Sequence, residues 1–233
     1  MKKYIPFEFL AVLLGICLLA ACSKDVNPKP SGVIPDSVDL GLSVNWASCN
    51  LGAVAPEGLG SYYQWAGTED VTPREYYLNW SNCPYHMGTS SSYGFTKYNS
   101  NPSYGTVDNK TVLDSGDDVA NEELGGNWRI PTGAEWAELL DNCTWTWSSL
   151  GVVRGYKVTS NVPGYTSNYI FIPTGGTCVY DEPPVTNYQG AYWSSTKNGL
   201  CHYAQTFFLK SLFASGSQNL RWQGLNIRPV YDK

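Results

Sequence analysis

The chain has 233 residues, of which 15% are charged and 14% aromatic, and its formal net charge is −5. It is long enough for one sizeable core, or for one domain with long loops. It contains no basic run of the kind that phosphate neutralisation requires, so nucleic acid is not expected as a partner.

The first residues predict an export signal. Lys2 and Lys3 precede the apolar run Phe9–Ala21, which is too short to span a bilayer as a helix. The break Leu19-Ala20-Ala21-Cys22 resembles the lipobox of bacterial lipoproteins, which implies cleavage before Cys22 and its lipidation. The alternative is a secreted protein with a chance cysteine at the cleavage site.

Three segments follow from this interpretation: a signal peptide at 1–21, a lipidated tether at 22–36 and a single domain at 37–233. The tether is rich in proline and poor in large apolar residues, as expected for an extended spacer. The predicted location is the outer membrane, with the domain on the cell surface or on the periplasmic face. The membrane is then reached through the lipid anchor.

The first half of the domain predicts short strands and a long loop. Val38–Ala47 alternates and predicts one or two strands, and Tyr62–Gly67 predicts another. Thr68–Leu113 is dominated by Pro, Asn, Ser, Tyr and Gly without a helical period, which predicts irregular structure.

Two helices are predicted next. The first covers Ser115–Leu124, with Ser115 or Asp117 as its N-cap and Gly125 as its end. Thr132 and Glu135 have the spacing of a capping box, which starts a second helix that runs to about Asn142. Its predicted apolar face consists of Trp136, Leu139, Leu140 and Cys143.

The C-terminal part predicts β-structure. Tyr156–Ser160 and Asn168–Pro173 are predicted to pair as a hairpin around Pro163-Gly164. The last three predicted strands are Ala191–Ser195, Tyr203–Lys210 and Leu220–Tyr231.

Three stretches carry a resemblance to a known family. Trp128-Arg129-Ile130-Pro131-Thr132 with Glu135-Trp136, the opening Ala47–Ala53 and the ending Arg228-Pro229-Val230 resemble the Fibrobacter succinogenes major paralogous domain family. The resemblance implies an α+β, C-type-lectin-like fold with two short helices, a small mixed or antiparallel sheet and long loops. That fold is shared with formylglycine-generating enzymes and retroelement-diversified surface receptors, so it does not fix a function.

Neither a metal nor another cofactor is predicted. Cys83 and His86, with Cys201 and His202, could supply zinc ligands, but adjacent residues on a strand point to opposite faces. Five cysteines follow Cys22, an odd number that leaves at least one without an intrachain partner, and Cys143 is expected as a small buried hydrophobe. Helix capping explains an acidic cluster better than calcium does. The cluster consists of Asp114, Asp117, Asp118, Glu122 and Glu123.

The segment between residues 198 and 225 is the predicted ligand-binding region. Its composition is compatible with a retroelement-diversified face on a fixed frame, and also with an ordinary strand–loop–strand whose Phe and Leu are core. Trp222 is expected as an exposed stacking platform. The predicted binding residues are Cys201, His202, Tyr203, Phe213, Ser215, Ser217, Arg221 and Trp222.

The sequence therefore favours non-catalytic binding of a surface protein or glycan at the cell envelope. An enzyme of the formylglycine-generating type is the first alternative. It requires either two cysteines close together in a cleft, for which Cys178 and Cys201 are the candidates, or a metal site. A pilus or surface-layer subunit is the second alternative, and it predicts an exposed strand edge or a donor strand, neither of which the loop-rich sequence indicates.

Overall fold

The computed structural model describes residues 33–72, 77–88 and 94–233. Small antiparallel sheets carry most of its regular structure, together with a few helical segments, which confirms the predicted α+β class. The predicted signal peptide, Cys22 and most of the tether lie outside the described residues. Within the described ranges, no helix is long and apolar enough to cross a membrane.

The described elements are short. The two α-helices are α1 (Val119–Leu124) and α2 (Gly133–Asn142), and 3₁₀ turns occur at Trp80–Asn82, Pro102–Tyr104 and Ser115–Asp117. The strands are β1 (Ser37–Val38), β2 (Val44–Ala47), β3 (His86–Met87), β4 (Gly94–Phe95), β5 (Trp128–Arg129), β6 (Cys143–Leu150), β7 (Val153–Ser160), β8 (Tyr169–Pro173), β9 (Gln189–Lys197), β10 (Tyr203–Lys210), β11 (Phe213–Leu220) and β12 (Val230–Asp232).

One sheet joins the beginning and the end of the domain. Its order is β1-β2-β12-β5, and Val230 of β12 lies opposite Trp46 on one side and Arg129 on the other. Of the one or two strands predicted within Val38–Ala47, β2 is confirmed, and β1 overlaps that range only at Val38. The predicted strand Leu220–Tyr231 is wrong over most of its length, because regular pairing begins only at Val230.

Both predicted helices are present, and the second begins and ends where predicted. Its capping box forms: Thr132 Oγ1 accepts from the Glu135 N–H at 3.2 Å, and Glu135 Oε2 accepts from the Thr132 N–H at 2.7 Å. The first helix is shorter than predicted, and its cap is Asp118 rather than Ser115 or Asp117. The Asp118 carboxylate accepts the first free N–H groups of α1, while Ser115–Asp117 forms a 3₁₀ turn.

Two three-stranded antiparallel sheets form the rest of the frame, with orders β6-β7-β8 and β11-β10-β9. The predicted pairing of Tyr156–Ser160 with Asn168–Pro173 is confirmed. Strands β6 and β11 were not predicted. Pairing with β7 stabilises β6, and pairing with β10 stabilises β11, whose sequence has little strand propensity.

Helix α2 packs on the sheet of β9, β10 and β11. The Trp136 ring stacks on the Phe207 ring with a centroid distance of 4.7 Å and an interplanar angle of 5°. The Trp136 indole N–H donates to the Trp193 carbonyl at 3.3 Å. Cys143 is buried at the end of the helix, as predicted, and packs in the same core.

Candidate functional site

Two neighbouring cavities of about 410 and 330 Å³ lie beside the predicted binding segment, on the α2 side of β11. They share Leu140, and together we call them the α2–β11 groove. The first cavity is lined by Gly133, Trp136, Ala137, Leu140, Asn198, Gln205, Thr206, Phe207, Gly216, Ser217 and Gln218. The second is lined by Leu140, Trp145, Trp147, Tyr156, Leu212, Phe213 and Ala214.

The alternation of β11 assigns its side chains to two faces. Ala214 packs against the core on the α2 side, so Gly216 and Gln218 face the groove as well. Phe213, Ser215 and Ser217 have the opposite orientation, and Phe213 and Ser217 border the groove as part of its rim. Three predicted binding residues therefore lie together on one exposed strand.

The second cavity is aromatic. Trp147 and Tyr156 meet edge to face with centroids 5.1 Å apart, and Trp145 lies 5.2 Å from Phe207. The Tyr156 hydroxyl donates to the Lys210 carbonyl at 2.8 Å, which fixes the end of β10. Trp145 and Trp147 are only half-buried, so part of each ring is available to a ligand.

The first cavity supplies polar groups. The side-chain amides of Gln205 and Gln218 have no hydrogen-bond partner among the described residues. Gly133 leaves room for the Gln205 amide, because an added Cβ would lie 2.0 Å from its Oε1. All described lining residues of both cavities are uncharged. The groove therefore suits a neutral ligand that combines apolar faces with hydrogen-bonding groups.

Three predicted binding residues are buried instead of displayed. Cys201, Arg221 and Trp222 are 3%, 1% and 5% exposed, so the expectation that they form part of the binding face is corrected. The Trp222 ring packs 5.0 Å from Tyr180, and is therefore no open stacking platform.

Arg221 has a structural role that the sequence did not indicate. Its guanidinium carbon lies 4.3 Å from the centroid of the Trp65 ring and 4.4 Å from that of the Phe95 ring, a cation–π arrangement. Its Nη2 donates to the Tyr98 carbonyl at 3.4 Å. Burial lowers the pKa of Arg221 to about 10, because the charged form loses its hydration.

His202 and Tyr203 are half-buried at the other end of the β10–β11 hairpin. The His202 ring lies 6.1 Å from Tyr104 and 4.8 Å from Tyr203. Burial and the nearby Arg221 charge lower the pKa of His202. The described residues contain no group of three or more His, Cys, Asp or Glu side chains suited to a metal ion.

The five cysteines of the domain are buried thiols. Burial raises the pKa of Cys178 to about 12, and it also raises the pKa of Cys201. Both shifts disfavour the thiolate, which is the reactive form of cysteine.

Sequence reasoning missed the side of the groove formed by α2 and β6. The alternation Thr144-Trp145-Thr146-Trp147 is the signal that could have identified β6, since its tryptophans share one face.

The chain was also compared with family models, curated proteins and solved structures, and none of them matches it.

Proposed function

We propose that this protein is a lipid-anchored cell-envelope protein that binds a neutral ligand in the α2–β11 groove. The observation that carries the proposal is the uncharged lining of that groove, which combines aromatic rings with side-chain amides, while β11 at Phe213 and Ser217 forms its rim. Half-buried aromatic rings and free amides occur on its two sides. This combination suits a glycan or an uncharged segment of a surface protein.

The C-type-lectin-like fold is part of this proposal. Its support is the agreement between the resembling motif and its local structure, namely the capping box at Thr132 and the start of α2. The small antiparallel sheets agree with the same fold.

The binding proposal is tested with arrays of glycans and surface proteins probed with the full chain. Trp147→Ala and Gln218→Ala should each weaken a detected interaction, because they remove an aromatic contact and an amide from opposite ends of the groove. Val152→Ala is the matched control, since Val152 is 91% exposed in the β6–β7 turn. Silence on both arrays, or equal binding by all variants, would contradict the proposal.

The anchor is a separate part of the proposal and needs its own test. Cells that express the protein should incorporate labelled fatty acid into it, and Cys22→Ser should abolish the label and release the protein from membranes. Labelling that persists in the Cys22→Ser variant would rule out lipidation at this residue.

Diversification of the segment is tested in the surrounding DNA. A near-repeat of the last coding stretch that differs only at adenines, beside a reverse transcriptase gene, would support it. The burial of Arg221 and Trp222 confines an accessible variable face to the earlier part of the segment, around Phe213–Gln218.

One observation favours the structural-subunit alternative. That function predicts an exposed strand edge, and β11 is the terminal strand of its sheet. The enzyme alternative lacks comparable support, because its two candidate thiols are buried with raised pKa values.

A further inference from the structure

Strand β11 forms an open sheet edge of unusual regularity. It pairs with β10 over its whole length, from Phe213 opposite Lys210 to Leu220 opposite Tyr203, without a bulge. The register irregularity of this sheet lies on the other side of β10, towards β9. A long regular edge is a template for pairing with a further strand.

The hydrogen-bond pattern identifies the groups that point outward. The Arg221 N–H donates to the His202 carbonyl at 3.1 Å, and these two residues are opposite each other in the same register. Because bonded and non-bonded pairs alternate, the backbone groups of Ala214, Gly216 and Gln218 point away from β10. Their N–H groups have no partner among the described residues, and the Gly216 carbonyl accepts only from Ser215 Oγ at 3.2 Å.

The edge also lacks the usual protection against pairing. Phe213–Leu220 contains no charged residue and no proline, and its central side chains are small. No atom lies within 4 Å of a Cβ built on Gly216, so a side chain introduced there meets no neighbour on the groove face of the strand.

We propose that β11 pairs with β11 of a second copy of this chain, antiparallel and across a twofold axis at Gly216. This register places Ala214 opposite Gln218 of the second copy and Ser215 opposite Ser217 of the second copy. The backbone groups of Ala214, Gly216 and Gln218 then lie opposite the outward-pointing backbone groups of the second copy. Their N–H groups can therefore donate to its carbonyls. An isologous contact of this kind closes as a dimer.

The same register brings the second copy near an exposed apolar residue. Leu212 is 91% exposed in the β10–β11 turn, just before β11 begins, and the pairing brings this turn towards the half-buried Leu220 at the end of β11 in the second copy. Because the strand carries no charge, the two copies do not repel each other where they meet. This occupant fits the edge better than a charged peptide does.

The dimer does not depend on the proposed ligand. A twofold axis perpendicular to the joined sheet keeps both α2–β11 grooves on the same side of it. The dimer would therefore present two grooves to one surface, which raises avidity for a ligand displayed in several copies.

Disulfide trapping of the full chain in mild detergent tests the proposal. Gly216→Cys places two thiols on the axis, where the Cα atoms of a bonded antiparallel pair are about 5.5 Å apart, within disulfide reach. Under mild oxidation it should give a cross-linked dimer on the order of tenfold faster than Val152→Cys, the matched exposed control. Equal rates for the two variants would overturn the proposal.

Variants with opposite charges at Gly216, tested alone and mixed, separate a loss of pairing from misfolding of a single variant. Gly216→Lys and Gly216→Glu should each fail to co-purify with a differently tagged copy of itself, because like charges meet on the axis. The two variants mixed should co-purify, and Val152→Lys should pair with itself as the unaltered chain does. An unaltered chain that does not co-purify with its tagged copy would contradict self-pairing, and would leave the edge free or paired with another protein.

Discussion

Arg129 connects the start of α2 with the strand β12, which is distant in sequence. Its Nε donates to Asp232 Oδ1 at 2.9 Å, near the end of the chain, and its Nη1 donates to Glu135 Oε2 at 2.9 Å. Glu135 also caps α2 through Thr132. The motif between Trp128 and Trp136 therefore has a structural role, because its residues connect α2 with the first sheet and its strand β12.

The cap itself makes a measurable contribution. Thr132→Ala should lower the free energy of unfolding by about 1 kcal/mol, because it removes the side-chain acceptor for the Glu135 N–H. Thr132→Ser keeps that acceptor and should retain most of the stability. Urea unfolding of the three proteins measures the difference, and equal midpoints for Ala and Thr would show that the cap is dispensable.

Glu135 makes stability depend on pH in the acid range. Burial raises its pKa, but hydrogen bonds from Arg129 and Thr132 outweigh burial and hold the pKa below the ordinary 4.5. Its stabilising contribution is complete above that value and is lost as the pH falls through the lowered pKa of the folded state. As the pH falls from about 5 to about 3, the free energy of unfolding of Glu135→Gln should therefore decrease less than that of the unaltered chain. Parallel losses measured by urea unfolding would contradict this.

Arg221 is stabilised by aromatic rings rather than by a described carboxylate. Arg221→Lys should lower the free energy of unfolding by about 1–3 kcal/mol, since an ammonium group does not stack between two rings and remains buried. Arg221→Met should cost less, because it removes the buried charge and keeps the apolar stem. Thermal unfolding ranks the variants, and a lysine variant as stable as the unaltered chain would refute the stacking role.

The packing of α2 on the β9–β10–β11 sheet depends on one aromatic stack. Phe207→Ala should cost about 3–5 kcal/mol, because Phe207 is 1% exposed and packs between Trp136 and Trp145. Phe208→Ala is the matched control on the other face of the same strand, where the side chain is half-buried, and it should cost less. Denaturant unfolding measures the free energy of unfolding of both variants. Equal losses would show that the aromatic stack contributes no more to stability than the Phe208 contacts do.

The elements that sequence reasoning predicted are those whose signals are local. Helix α2 carries its own cap and apolar period, so Thr132 and Trp136 were enough to place it. Strand β11 reads Phe-Ala-Ser-Gly-Ser-Gln-Asn-Leu, which has little strand propensity, and only its pairing with β10 makes it a strand.

The candidate site was predicted only in part, because local signals identify some of its residues and the others come together through long-range contacts. Phe213, Ser215 and Ser217 were recognised from their place in the chain, whereas the α2 and β6 side of the groove depends on contacts across the fold. The burial of Arg221 could not be predicted, since it depends on Trp65 and Phe95, which lie far earlier in the chain.

Strand β12 joins the two parts of the first sheet. It is hydrogen-bonded to β2 on one side and to β5 on the other, and Val230 is fully buried. Removal of Val230–Lys233 should abolish cooperative thermal unfolding, because the first sheet loses its central strand. Removal of Lys233 alone should cost about 1 kcal/mol or less, since its ion pair with Asp39 is partly exposed. A cooperative transition in the longer truncation would show that the sheet is not essential.

The contact between Lys233 Nζ and Asp39 Oδ1, 2.9 Å apart, places Lys233 beside the segment that follows β1. A short linker could join Lys233 to the start of β1, and new ends could be opened at Gly151 in the exposed β6–β7 turn. Such a circular permutant should keep the same fold. The same adjacency means that a tether fused before β1 or after Lys233 would leave the domain from one edge, so the orientation of the groove relative to an attachment surface would not depend on which of the two positions is used.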